Sequence, residues 1–135
     1  MPPVTRPQPS AVPMPWNDYR SSPPVGTVLT TADTLSRDHV VSVAPDSGRG
    51  AFPILVVATP GGPRAYVNLC PHLDLPLDFR SGNIVSADGS MILCSNHQAG
   101  FRIEDGVGVK GLGIDCHLDP IPLRLDADGT IRIGV

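Results

Sequence analysis

At 135 residues the chain has room for one domain with a real core, and too little for two substantial ones. A formal net charge of −3, with acids and bases interspersed and no basic stripe, excludes the electrostatic footprint of a nucleic-acid binder. Sixteen prolines and fourteen glycines against six aromatic residues favour short strands joined by many turns.

Residues 1 to 24 hold prolines at positions 2, 3, 7, 9, 13, 15, 23 and 24. Proline removes backbone donors and steers the residue before it away from helix, so this stretch is expected as an extended, flexible arm. Without apolar periodicity it is expected to be dispensable for folding. Trp16 and Tyr19 leave a second reading open, in which the arm docks on a partner. No positively charged segment followed by an apolar run opens the sequence, so no signal peptide is expected. The longest unbroken apolar run, Ile54 to Ala58, is far short of a membrane span, and no membrane partner is expected. Three cysteines, an odd number, argue against a disulfide framework and allow metal or redox chemistry in a cytoplasmic protein.

From Val25 the pattern changes to short β-like runs: VVSV (40–43), FPILVVA (52–58), RAYVN (64–68), MILC (91–94), FRI (101–103), IPLRL (121–125) and TIRIGV (130–135). Between them stand PGGP (60–63), ADGS (87–90), EDG (104–106) and DADG (126–129), which are turn residues. No window of a dozen residues has helical periodicity, and no repeat occurs. Residues 25 to 135 are therefore expected to form one all-β, antiparallel domain folded from hairpins.

Two Cys–His pairs stand out. Cys70 and His72 form C-x-H in NLCPHLDLPLD; twenty-one residues later Cys94 and His97 form C-x-x-H in CSNHQAGF. Each pair follows an apolar strand, so two strand ends can carry two loops, tip to tip, with one thiol and one imidazole each. Two cysteines and two histidines also suit tetrahedral zinc, although C-x-H is a less usual zinc pair. Cys116–His117 is a third neighbouring pair, read as a buried structural thiol beside a histidine, and His39 is read as a surface residue at a strand start.

The double pair resembles the ligand set of the Rieske iron–sulfur domain. The resemblance runs from about Val25 to Val135 and extends to AYVNLCPH, to His97, Ala99 and Phe101 in H-x-A-x-F, to the EDG turn and to the late PIPLRL and DGTIRI runs. It implies an antiparallel β-sandwich with a smaller cluster-binding subdomain, about residues 66–115, formed by two loops. It implies one 2Fe–2S cluster with Cys70 and Cys94 on one iron and His72 and His97 on the other. Two neutral imidazoles in place of two thiolates make the oxidised centre neutral instead of −2, so an added electron is less opposed. Rieske potentials accordingly span about −150 to +300 mV, against about −400 mV for plant-type ferredoxins.

Departures from the family refine what the resemblance implies. High-potential members in cytochrome bc complexes carry an extra cysteine in each loop, where this chain has Leu75 and Asn96. They also carry a serine and a tyrosine that donate hydrogen bonds to sulfur, where this chain has Ala99 and Phe101. Gln98 replaces a glycine, and Gly111-Leu112 stands where a Gly-Pro loop often covers the cluster. The chain thus looks like a soluble, low-potential ferredoxin. Such a protein carries one electron at a time, here from a flavin reductase to a terminal oxygenase, leaving through His72 and His97. With only His39 and His117 remaining, the mononuclear iron site of an oxygenase is not expected, so the chain is not expected to be a catalyst alone. A permanently bound accessory subunit of a larger redox enzyme is the alternative, and a zinc-binding structural domain a third.

Overall fold

The computed structural model describes residues 15–69, 77, 84–94, 99–111, 114 and 116–134. Among them the elements run β1 (Val28–Thr31), α1 (Ala32–Asp38), β2 (Val40–Val43), β3 (Ile54–Thr59), β4 (Gly62–Val67), β5 (Met91–Leu93), β6 (Gly100–Arg102), β7 (Gly108–Lys110), β8 (Pro120–Ile121), β9 (Leu123–Leu125) and β10 (Thr130–Ile133). They make three antiparallel sheets, ordered β1-β10-β9, β2-β3-β4-β8 and β5-β6-β7. The all-β, antiparallel class is as the sequence implies.

The centre is set by the apolar run of β3. A strand with one wet face alternates apolar and polar residues, whereas an unbroken apolar run suits a strand buried on both faces. Ile54 and Val56 join one buried cluster with Leu29, Ile131 and Ile133, and Leu55 and Val57 join a second with Ile92, Phe101 and Leu118. β4 divides in the same way, Ala65 and Val67 to the first cluster and Tyr66 to the second. The four-stranded sheet is therefore a middle layer between two cores. The smaller sheet β5-β6-β7 closes the second of them.

Tyr66 ties this layer to the turn after β6. Its hydroxyl donates to the carbonyl of Ile103 at 2.9 Å, and burial pushes its pKa up, so it remains a protonated donor. Gly106 in the same EDG turn has φ +80, and a Cβ there would stand 2.9 Å from the Tyr66 ring and 3.1 Å from Leu118 Cβ. Glycine is required at that point for both backbone and space.

Several expectations need correction. IPLRL is not one strand: Pro122, with no N–H to give a ladder, separates β8 from β9. A helix does occur, α1, with Thr31 Oγ1 accepting from the Thr34 N–H at 3.2 Å as N-cap and His39 at φ 64 as C-cap. Seven residues with only Leu35 buried are too few to show a period. His39 is exposed just before β2, as expected. Strands β1 and β7 were not foreseen; β1 is defined by pairing with β10, about a hundred residues away.

Residues 15–24 of the expected arm lie against the domain; residues 1–14 are outside the described residues. Trp16–Asp18 form a short 3-10 turn, and Trp16 packs against the first core. Tyr19 is 4 % exposed, meets Phe52 edge-on at 5.5 Å, and donates its hydroxyl to Asp119 Oδ2 at 2.5 Å. Arg49 Nε donates to the carbonyl of Arg20 at 2.7 Å. Aromatic burial and paired backbone carbonyls hold this segment to the domain.

Candidate metal centre

Of the predicted ligands and their neighbours, Cys94, Ala99 and Phe101 are among the described residues; Cys70, His72 and His97 are not, nor are Leu75, Asn96, Gln98 and Leu112. The bases of both predicted loops are described, and they converge.

The second loop rises from the hairpin of β5 and β6. The ADGS turn presents β5: the Asp88 carboxylate accepts from the hydroxyls of Ser86 at 2.7 Å and Ser90 at 2.8 Å and from the Ser90 N–H at 3.0 Å, which lowers its pKa to about 2. Ile92 stands opposite Phe101 in the ladder, and Val85 bridges to Ile92 from outside. One residue past the strand, the Cys94 N–H donates to the carbonyl of Ala99 at 2.8 Å. That bond closes the base of the loop carrying His97. Cys94 is 2 % exposed, and Ala99 and Phe101 are fully buried.

The first loop leaves β4 through Asn68 and Leu69. The Leu77 N–H donates to Asn68 Oδ1 at 2.9 Å, so the segment holding Cys70 and His72 starts and returns at one hydrogen bond. Leu77 is fully buried in the cluster that also contains Cys94, Ala99 and Phe101. The first loop therefore leaves from Leu69 in the first core, and its return at Leu77 packs in the second core with Cys94, Ala99 and Phe101 of the second loop. Sequence reasoning missed Asn68; its only mark is standing two residues before Cys70.

Cys116 is buried in the same cluster, as expected for a structural thiol, and its carbonyl accepts from the Gly108 N–H at 3.0 Å. His117 turns Nδ1 onto the carbonyl of Leu118 and bridges to Val107 through its backbone. Among the described residues no three His, Cys, Asp or Glu side chains gather as a metal site, three of the four predicted ligands lying outside them.

What is described fits a 2Fe–2S centre. A buried thiol in a water-excluding apolar cluster, with the return of the other loop at Leu77 in the same cluster, is a suitable anchor for such a centre.

Comparison with known proteins gives the same answer. The family model described as Rieske [2Fe-2S] domain matches residues 28–114. No curated protein matches by sequence. Among solved structures, the ferredoxin of carbazole 1,9a-dioxygenase from Nocardioides aromaticivorans IC177 is similar, with a TM-score of 0.64 at 19 % identity over 82 % of this chain and 98 % of that one. A ferredoxin–oxygenase complex of carbazole 1,9a-dioxygenase gives 0.64 at 17 % identity, covering 82 % of this chain and 94 % of the matched one. The plasma membrane Rieske protein PetC3 from Synechocystis PCC 6803 gives 0.62 at 18 % identity, covering 81 % and 99 %. At these identities the structural likeness shows the fold.

Proposed function

As the chain belongs to the Rieske [2Fe-2S] family, we propose that it is a one-electron carrier that takes electrons from a reductase and delivers them to a terminal oxygenase. The family's cofactor is one 2Fe–2S cluster, which when bound supplies reversible one-electron reduction. Cys70 and Cys94 are its thiolate ligands, and His72 and His97 its imidazole ligands. The observation that carries this reading is that Leu77, on the return of the first loop, and Cys94, at the start of the second, pack in one buried cluster. The oxygenase as acceptor is supported by the similar ferredoxin solved with its oxygenase. We assign residues 15–135 to the Rieske domain and the protein to the cytoplasm; among the described residues no helix is long and apolar enough to cross a membrane. Tyr19 buries into its own domain, which removes a reason to read this segment as the arm of a permanently bound subunit.

Air-oxidised protein is expected to be coloured, and to show a one-electron EPR signal after chemical reduction; a zinc domain would be colourless and EPR-silent. Stopped-flow mixing of reduced protein with an oxidised terminal oxygenase is expected to reoxidise it by one electron per chain. Reduced protein that oxygenates an organic substrate unaided would overturn the carrier reading.

The potential is tunable at two buried positions. Hydrogen bonds to sulfur favour the more negative reduced state and raise the potential. Neither Ala99 nor Phe101 donates such a bond from its side chain, and both share the cluster of Cys94. The wild-type potential is therefore expected near the low end of the Rieske range. A charge-assisted bond contributes roughly 1.5–3 kcal/mol in one state, partly cancelled in the other. At about 59 mV per 1.4 kcal/mol for one electron, Ala99→Ser and Phe101→Tyr should each raise the potential by about 50–100 mV. Protein-film voltammetry at fixed pH measures it. No rise in either, with the cluster intact, means these positions do not reach sulfur.

A further inference from the structure

We propose that Asn68 is a positioning residue for the first ligand loop, fixing where Cys70 and His72 stand without itself touching iron; this rests on the reading of those two residues as ligands. Asn68 is 2 % exposed and two residues before Cys70. It is anchored twice from behind: its N–H donates to the carbonyl of Pro53 at 2.9 Å, and its Nδ2 donates to Ser42 Oγ on β2 at 3.3 Å. Its Oδ1 takes up the N–H of Leu77 at 2.9 Å. One carboxamide thus joins β2 to the start of the ligand loop and its return, while the backbone N–H of the same residue holds the chain before β3.

Pinning both ends of a segment removes most of its accessible conformations, and the ligands between the pins inherit that order. Leu77 is packed in the cluster of Cys94, so holding it also sets the first loop against the second. The site needs an acceptor for the Leu77 N–H and a second polar atom that pairs with the Ser42 hydroxyl, which can accept or donate. Asparagine and aspartate have both, and leucine, of similar shape, has neither. This is the role that outer hydrogen bonds play around metal centres, where they orient the groups that bind.

The test compares iron release to a chelator and EPR spectra of the holoprotein across variants. Asn68→Leu is expected to release iron at least tenfold faster and to broaden the EPR lines. Asn68→Asp, which still accepts from the Leu77 N–H, is expected within threefold of wild type. Asn68→Gln moves both groups outward by one methylene and is expected to release iron faster than wild type; it keeps the test open if Asn68→Leu does not fold. Tyr19→Phe removes a buried hydrogen bond in the other core, and should lower the melting temperature while leaving iron release and EPR unchanged. Wild-type release and EPR in Asn68→Leu or Asn68→Gln overturn the proposal, as does a Tyr19→Phe variant that releases iron as fast as Asn68→Leu. Cys70→Ser separates the two readings. If it keeps the wild-type cluster, the ligand assignment has failed; if it is colourless while the Asn68 variants behave as wild type, only the positioning role has.

Discussion

Cys70→Ser, Cys94→Ser and His97→Ala are each expected to abolish the wild-type chromophore, giving colourless or heterogeneous protein. On the proposed assignment each substitution removes one of four protein ligands, and water or a weaker hydroxyl would take the vacated position. For Cys94 the effect is compounded, because serine would place a hydroxyl in an apolar cluster where the thiol is 2 % exposed. Metal binding is coupled to folding, so the melting temperature should fall as well. Iron and sulfide per chain, with the EPR signal of reduced protein, measure the outcome. Cys116→Ser is the matched control: a buried thiol of the same cluster, expected to keep the chromophore. Wild-type iron, sulfide and EPR in Cys70→Ser or His97→Ala would rule out the ligand assignment.

Removal of residues 1–24 is expected to destabilise the domain severely, whereas a chain starting at Pro15 keeps every contact described for this segment. The longer deletion takes away the Tyr19 ring, uncovers Phe52, which is fully buried in the intact chain, and withdraws the hydroxyl bound to Asp119. Truncating a large buried aromatic costs about 3–5 kcal/mol, and loss of a buried hydrogen bond adds about 1 kcal/mol or more. At about 2–8 °C per kcal/mol for small domains, the melting temperature should fall by on the order of 10–20 °C or more. Tyr19→Ala within the full chain should reproduce most of the loss. Thermal unfolding followed by circular dichroism checks all three proteins. Equal melting temperatures for the chains starting at residues 15 and 25 would show that Tyr19 contributes nothing to the core.

How much of this was legible in the sequence follows from the range of the forces involved. β3 was legible because ILVVA is a local signal that only a doubly buried strand explains. The family was legible because metal chemistry restricts both the residue types and the spacing of the two Cys–His pairs. α1 was not, since its stability comes from a cap and one buried leucine rather than from a periodic face. Tyr19 was misjudged for a related reason. Its neighbours in sequence are prolines and polar residues, and its partners, Phe52 and Asp119, are brought by the fold from far along the chain. Asn68 was invisible in the same way, an ordinary strand-end asparagine until the return of the loop at Leu77 is seen.

The two-sided middle sheet has a consequence for how such a sequence can diverge. Alternate residues of β3 and β4 answer to different neighbours: Ile54, Val56, Ala65 and Val67 to the side that carries Tyr19, Leu55, Val57 and Tyr66 to the side that carries Cys94. Side chains on opposite faces of one strand do not touch, so a change of volume on one face is compensated by its own layer. Mutations on the two faces should accumulate as separate sets. A lineage can thus remodel the half packed around Tyr19 while the half packed around Cys94 stays under its own constraint, with the backbone of two strands as their common boundary.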